Sequence, residues 1–378
     1  MIAQPYLRGK YMNWLLLFLI LLLMSIGGTV YLITRFHRFS FIEKLSEKHK
    51  LLSWLASLLP LGGIACLGFI NFYSIIVVIL HLIIFWMIAD LIAFIFRKIT
   101  RKERHHNIEG VCVILFTAIY LCIGWYNAHN VICTPYSLKT DKNINGEKLR
   151  IVGFADSHIG ITLDGEAMSE EMQKIQAEAP DIVVIAGDFV DDDSNRSDMV
   201  KACEALGNLK TTYGVYFVSG NHDQGYMQGY RDFSIDDLYS ELEKNNVTIL
   251  EDKAVMITDN IAIIGRKDKH DKSRKDIGEL AKNIDSDVFT IVLDHQPNDY
   301  YNEAAANVDL VYSGHTHGGH IWPSGYVGLW IGANDFVYGH TVHGNTDFIV
   351  TSGISGWAIP FKTFAVSEYN VIDITCKE

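Results

Sequence analysis

Positive charge is scarce in the last two-thirds of the chain, where residues 131–378 hold 20 Lys and Arg against 39 Asp and Glu. Such a surface disfavours nucleic acid, whose binding rests on neutralising phosphates with basic side chains. It leaves an anionic substrate open, provided that bound cations reverse the local field. Paired cysteines are lacking too. The six present stand at 66, 112, 122, 133, 203 and 376 with no C-x-x-C spacing, which excludes a disulfide framework and a paired zinc motif. They read as small hydrophobes. No internal repeat and no low-complexity tract occurs, so a repeat array is set aside.

The N-terminal third has the opposite balance, with 12 Lys and Arg against 5 Asp and Glu in residues 1–130. It carries apolar runs at 12–34, 51–70, 74–96 and 110–126. Runs near that length cross roughly 30 Å of hydrocarbon as helices, so four transmembrane helices are expected in a membrane domain spanning residues 1–130. The first run is too long for a signal peptide and no A-x-A-like site follows it. Arg35, Arg38, Lys44, Lys48 and Lys50 lie between the first two runs; Arg97, Lys98, Arg101, Lys102 and Arg104 lie between the last two. By the positive-inside rule both loops are cytoplasmic, which puts everything after Tyr126 outside the cell membrane. Asp90 sits inside the third run. A carboxylate there is costly and hence a functional candidate, but a helix contact is the expected role; His81, nine residues earlier, falls on the opposite helix face.

Residues 131–149 lose the hydrophobic periodicity, gain Pro135, Asn143, Asn145 and Gly146, and read as a linker. From residue 150 to the end, short β-rich runs follow one another at 149–155, 181–187, 214–220, 260–265, 288–294, 308–314, 347–353 and 369–374. Helical spacing appears between the earlier ones, at 168–179, 199–209 and 235–244. Alternation of this kind predicts an α/β domain with its sheet covered by helices. Five strands run into loops rich in Asp, Asn and His: "ADSHIG", "GDFVDDD", "GNHDQ", "DHQP" and "GHTHGGH". In open α/β sheets those carboxyl-end loops bind ligands.

Divalent metals need carboxylate, imidazole or carbonyl ligands on rigid supports. In Asp156-Ser157-His158 the i and i+2 side chains leave on one side of an extended backbone and can share an ion. Asp188 follows a glycine that allows a sharp turn, so its two carboxylate oxygens can serve two ions. Asn221, His295, His315 and His317 would complete a pair of metals spaced for two-metal catalysis. Each piece alone reads as an ordinary turn or loop residue; five in this order do not.

The order D-x-H, G-D, G-N-H-D, a lone His and G-H-x-H, spread over Asp156 to His317, resembles the calcineurin-like metallophosphoesterase superfamily. The stretches "GHTHGG" and "TSGISGWAIPFK" look like its membrane-anchored branch, the YkuE-type phosphoesterases. The resemblance implies a four-layer αββα sandwich and two divalent ions, Mn, Fe, Zn or Mg. It implies that Asp156, His158 and His317 hold the first, that Asp188 bridges, and that Asn221, His295 and His315 hold the second. His222 would act on the substrate and Asp223 would orient it or tune its charge. That branch often has Gln where this chain has His320, which becomes a candidate substrate contact; Asp294, beside the lone His, stays outside the ligand set.

The expected activity is hydrolysis of a phosphomonoester, phosphodiester or pyrophosphate by a metal-bridging hydroxide, with His222 stabilising or protonating the leaving oxygen. Tethering at the bilayer suits a lipid-linked phosphoester, with a soluble one as the alternative. A catalytically silent membrane scaffold or sensor would be marked by loss of His222 or of the bridging Asp188, and both are present. Asp191, Asp192 and Asp193 are expected as a solvated loop. Trp322, Trp330 and Trp357 are expected to pack the domain, with a substrate groove as the alternative.

Overall fold

A computed structural model describes residues 4–69, 71–101, 107–225 and 231–377, with side chains from residue 19 onward except 21. The chain divides into two compact units, 1–122 and 123–378, with the boundary inside a helix. The first unit is helical: α1 (Gln4–Phe36), α2 (Ser40–Lys48), α3 (Lys50–Ala65), α4 (Phe72–Thr100) and the start of α5 (Ile108–His129). Three stretches among the described residues are long and apolar enough to cross a membrane, Lys50–Phe69, Phe72–Thr100 and Ile108–His129. Three of the four expected spans are thus seen as candidates, and the first expected run, 12–34, lies partly outside the described side chains. In α1 the described side chains leave a shorter apolar run, Leu22–Phe36, because residues 12–18 and 21 lie outside them. Lys102 and Arg104 also lie outside the described residues.

Asp90 is a helix contact. Its Oδ2 lies 2.6 Å from Arg35 Nε and accepts from the Tyr31 hydroxyl at 2.7 Å, tying α4 to α1. In the same unit Leu32, Phe36, Leu82, Ile83, Trp86 and Val113 form a buried cluster.

The second unit carries two six-stranded sheets. Its strands are β1 (Val131–Thr140), β2 (Lys148–Phe154), β3 (Ile182–Ala186), β4 (Val215–Val218), β5 (Val247–Ile249), β6 (Lys253–Met256), β7 (Ile261–Gly265), β8 (Phe289–Leu293), β9 (Leu310–Ser313), β10 (Gly339–His343), β11 (Thr346–Val350) and β12 (Ser367–Cys376). One sheet runs β1-β12-β2-β3-β4-β5 and the other β10-β11-β9-β8-β7-β6. Both are mixed. β12 is antiparallel to β2, β11 to β10 and β7 to β6, and the remaining pairs are parallel.

Strands such as Ile182–Ala186 and Phe289–Leu293 are buried at every position because both of their faces are covered. Between the sheets Ile151, Val184, Val218, Ile263, Ile291, Leu310 and Ile372 pack together. On the outer face of the first sheet Val152, Phe154, Val183 and Phe217 meet Met168, Met172, Met199 and Leu238 of α6 (Gly165–Ala177), α7 (Arg196–Gly207) and α8 (Ile235–Lys244). The other sheet packs Ile264, Val292 and Val311 against Ile277 and Tyr300 of α9 (Ile277–Ala281) and α10 (Tyr300–Ala305). Side-chain caps start the three larger helices, Asp164 on α6, Asn195 on α7 and a Ser234–Asp237 capping box on α8. A short helix, α11 (Gly325–Trp330), completes the unit.

Residues 131–149 are not a linker: 131–140 form β1, ten residues in parallel register with β12. Pro135 read as a turn signal is tolerated because β1 is an edge strand, where a missing N–H need not break a ladder.

Candidate metal centre

The strands of both sheets deliver their following loops to one place. Asp156 and His158 follow β2, Asp188 follows β3, Asn221 and His222 follow β4, His295 follows β8, and His315 and His317 follow β9. Asp156, His158, Asp188, His315 and His317 all have positive φ, between 36° and 71°. Non-glycine residues hold that conformation only where the surroundings impose it, and such strain gathers at functional sites. Glycines make room: a Cβ on Gly220 would fall 2.1 Å from Asp188 Oδ1, and one on Gly314 would fall 2.5 Å from Asp156 Oδ2.

Three clusters of ligand-type atoms result among the described residues: Asp156 with His158 and His317, Asp188 with His295 and His315, and a third, His158 with Asp191 and His222, that shares His158 with the first. In the first, His158 Nε2 and His317 Nε2 face each other at 3.2 Å, with Asp156 Oδ1 3.8 Å from the latter. His158 Nδ1 lies 3.0 Å from Asp191 Oδ2, so its Nε2 is the nitrogen turned toward His317. In the second, His295 Nδ1 donates to the Ala186 carbonyl at 2.7 Å. Its Nε2 then presents a lone pair to two acceptors, Asp188 Oδ2 at 3.1 Å and Asn221 Oδ1 at 3.2 Å. Lone pairs converging in this way repel unless a cation or a proton lies among them. The donor set of imidazoles, carboxylates and an amide oxygen therefore fits two divalent cations.

Charge follows the same pattern. Burial pushes the Asp156 carboxyl up to about 6. Burial acts on Asp188 too, yet the imidazoles of His295 and His158 outweigh it and hold that carboxyl well below the usual range. Burial opposes a charge on His295, but Asp188 and Asp156 raise it well above an ordinary imidazole. Burial lowers His315 to about 3 and takes His317 well below its usual value, so both are neutral, the form in which imidazole ligates.

His222 sits beside the first two clusters. Its backbone N–H donates to Asp188 Oδ1 at 2.8 Å and its Nδ1 lies 3.0 Å from Asp191 Oδ1. Burial disfavours its charged form, but Asp191 and Asp188 overcome this and raise its pKa. Trp357 stands next to the ring, 5.4 Å between centroids, and 40% of it is exposed.

Three expectations change. Asp191 is 6% exposed and bridges His158 and His222, so it is not part of a solvated loop. Its signal in the sequence was its position three residues after Asp188, which an acidic run concealed. For Asp223, expected to orient His222 or tune its charge, the contacts seen are with backbone: its buried carboxylate accepts from the Val190 and Gly220 amides, while Asp191 Oδ1 lies 3.0 Å from His222 Nδ1. His320 is buried with its Nε2 3.2 Å from the Ile359 carbonyl and its ring 5.3 Å from His317, which makes it a packing neighbour of His317 and neither a solvated residue nor an open substrate contact. Trp322 and Trp330 do not pack the unit, being 39% and 75% exposed.

Gln296 was also missed. Its amide nitrogen donates to Asp268 Oδ2 at 2.7 Å and reaches Asn221 Oδ1 at 3.4 Å, which aims the Asn221 oxygen. Asp294 lies 3.0 Å from Arg266 Nη1 and pairs with Arg274 as well.

Residues 149–319 match the family model described as calcineurin-like phosphoesterase. An uncharacterized metallophosphoesterase of Helicobacter pylori strain J99 is 30% identical over 70% of this chain and 71% of its own length. One of Campylobacter jejuni is 27% identical over 76% of this chain and 77% of its own. A transmembrane protein with metallophosphoesterase domain from Danio rerio is 26% identical over 69% of this chain and 61% of its own.

Proposed function

We propose that this chain, which belongs to the calcineurin-like metallophosphoesterase family, is a membrane-anchored hydrolase of phosphoesters that works with two divalent cations. The observation that carries the reading is the pair of facing clusters, Asp156, His158 and His317 opposite Asp188, His295 and His315. The first would hold one cation and the second, with Asn221, the other; Asp188 would reach both. Bound there, the two cations would supply positive charge to the phosphoryl oxygens and make a water acidic enough to attack near neutral pH.

The chain's own groups do the rest. The neutral His315 and His317 and the buried Asp156 keep the ligand geometry rigid before any substrate arrives. His222 would stand over the leaving oxygen with its Nε2 and deliver a proton to it, held in that orientation by Asp191 on Nδ1. Trp357, at the edge of the ring, would shield that proton from bulk water.

Membrane anchoring is supported by the three candidate spans and by the transmembrane relative. With α1 as a fourth span, both basic loops would be cytoplasmic and the second unit would lie outside. Protease added to intact cells would then remove it.

The decisive assay uses the full chain in detergent with aryl phosphate mono- and diesters and with Mn, Fe, Zn or Mg, beside Asp188→Asn. Turnover with at least one metal, abolished in the variant, is expected. Metal binding without turnover would instead mark a silent scaffold.

A further inference from the structure

The stretch after the histidine loop is apolar and has no fully buried residue. Residues 321–334 contain no charged side chain. The helix α11 within them has no buried residue, and Trp330 is 75% exposed beside Trp322, Tyr326 and Ile331 at 39–41%. A helix apolar on all sides normally lies inside a core or a membrane, and an exposed patch of this kind marks a contact surface.

Its position says which contact. The His320 carbonyl accepts from the Thr363 and Phe364 amides at 2.9 and 3.2 Å, the Trp322 amide donates to Thr363 Oγ1 at 3.0 Å, and the Tyr326 ring rests edge-on against Phe364 at 5.4 Å. The same segment is tied, within the second unit, to the last turns of α5. The Lys362 amide donates to the Gly124 carbonyl at 2.8 Å, the Asn127 amide group donates to the Lys362 carbonyl at 3.2 Å, and Gly124 is small enough for Thr363 to lie against it. Those turns end the third candidate span, and they expose Trp125 and Tyr126, the residue types that settle at the headgroup level of a bilayer.

From these observations we infer that residues 321–331 form an apolar flap that lies in the membrane surface, so that the metal centre takes its phosphoester from the bilayer as a membrane-embedded amphiphile. The flap starts at His320, whose ring is 5.3 Å from His317, so a headgroup beside the flap is next to the metal cluster. Trp, Tyr, Leu and Ile side chains among Gly and Ser suit a neutral interfacial contact. The inference rests on the phosphoesterase reading for its substrate and on the surface alone for its membrane contact.

Two measurements on the full chain separate them. The first compares nitrophenyl phosphate esters of one reacting group carrying a methyl or a hexadecyl tail, the latter in phosphatidylcholine vesicles, for the wild type and for Leu329→Ser/Trp330→Ser. A preference for the long tail of roughly tenfold or more is expected in the wild type and lost in the variant, with the methyl ester turned over at an unchanged rate. No tail preference, or an equal loss on both esters, would overturn the inference while leaving the phosphoesterase reading intact. The second needs no turnover: brominated phosphatidylcholine should quench wild-type tryptophan fluorescence more than that of Trp330→Phe. Equal quenching, or a dimer that the double variant dissociates, would assign the patch to something other than lipid.

Discussion

The Asp191 carboxylate holds His222 and His158 at once, one oxygen 3.0 Å from each Nδ1. A single side chain therefore contacts both the group proposed to protonate the leaving oxygen and a proposed ligand of the first cluster. Asp191→Asn should lower kcat by roughly a hundredfold at saturating metal. It should also raise the metal concentration for half-maximal activity by about tenfold, because groups behind a ligand set its orientation. Turnover of an aryl ester across a metal titration reads both effects. A variant with unchanged kcat would mean that His222 does not depend on Asp191.

Gly220 tests the same machinery through space alone. A methyl group there would sit 2.1 Å from Asp188 Oδ1, and that oxygen already accepts from the His222 amide. Gly220→Ala should displace the carboxylate, cut bound metal measured by mass spectrometry and reduce turnover at least a hundredfold, since misplacement near 1 Å has that effect. Secondary structure followed by circular dichroism should be retained.

The eight sequence-derived strands correspond to β2, β3, β4, β7, β8, β9, β11 and β12, and the three expected helices to α6, α7 and α8. These were legible because strands buried on both faces become apolar runs and amphipathic helices keep their period. β1, β5, β6 and β10 were not. β1 contains Pro135, and β5 and β6 are three and four residues long, too short for a pattern. The candidate ligand residues stood out by type and spacing at strand ends. Asp191 and Gln296 did not, because an acid in an acidic run and an amide after a histidine acquire meaning only from what they touch.

Removing the metals should be reversible. Dialysis against a chelator should abolish turnover, and one of Mn, Fe, Zn or Mg should restore it. Because the cations would replace repulsion between the His158 and His317 nitrogens, 3.2 Å apart, the metal-loaded chain should also melt higher. At a hundred times the dissociation constant the gain is about 2.7 kcal/mol. A melting temperature indifferent to every metal would count against the centre.

Lys362 gives a pH dependence. It is fully buried, and its ammonium donates to the Ser352 and Gly353 carbonyls at 2.7 and 2.9 Å. Burial lowers its pKa to about 7, against 10.5 for a free lysine. Between those values the unfolded chain binds the proton and the folded chain does not, so stability rises with pH across that window and is flat in this respect below it. The slope should be up to about 1.4 kcal/mol per pH unit. Lys362→Met should remove that slope, read as the difference in melting temperature between the two proteins from pH 7 to 9. A parallel pair of curves would show that Lys362 stays charged in the fold.

The Asp90 carboxylate in the first unit meets Arg35 and Tyr31, and its partners identify it as a tie between α1 and α4. Asp90→Asn would leave the Arg35 guanidinium without its counter-charge and should destabilise the chain by roughly 1–3 kcal/mol, because a partly buried charge that loses its partner carries the cost of desolvation. Turnover of a soluble ester by the folded protein should stay within about twofold of the wild type, since the altered contact carries no substrate group. Replacing both partners, Arg35→Met with Asp90→Leu, should recover most of the lost stability, as apolar replacements of whole ion pairs do. A structural tie predicts that pattern of loss and recovery in thermal unfolding followed in detergent. If turnover fell with Asp90→Asn and stayed low in the double variant while stability returned, the carboxylate would have a role in the reaction itself.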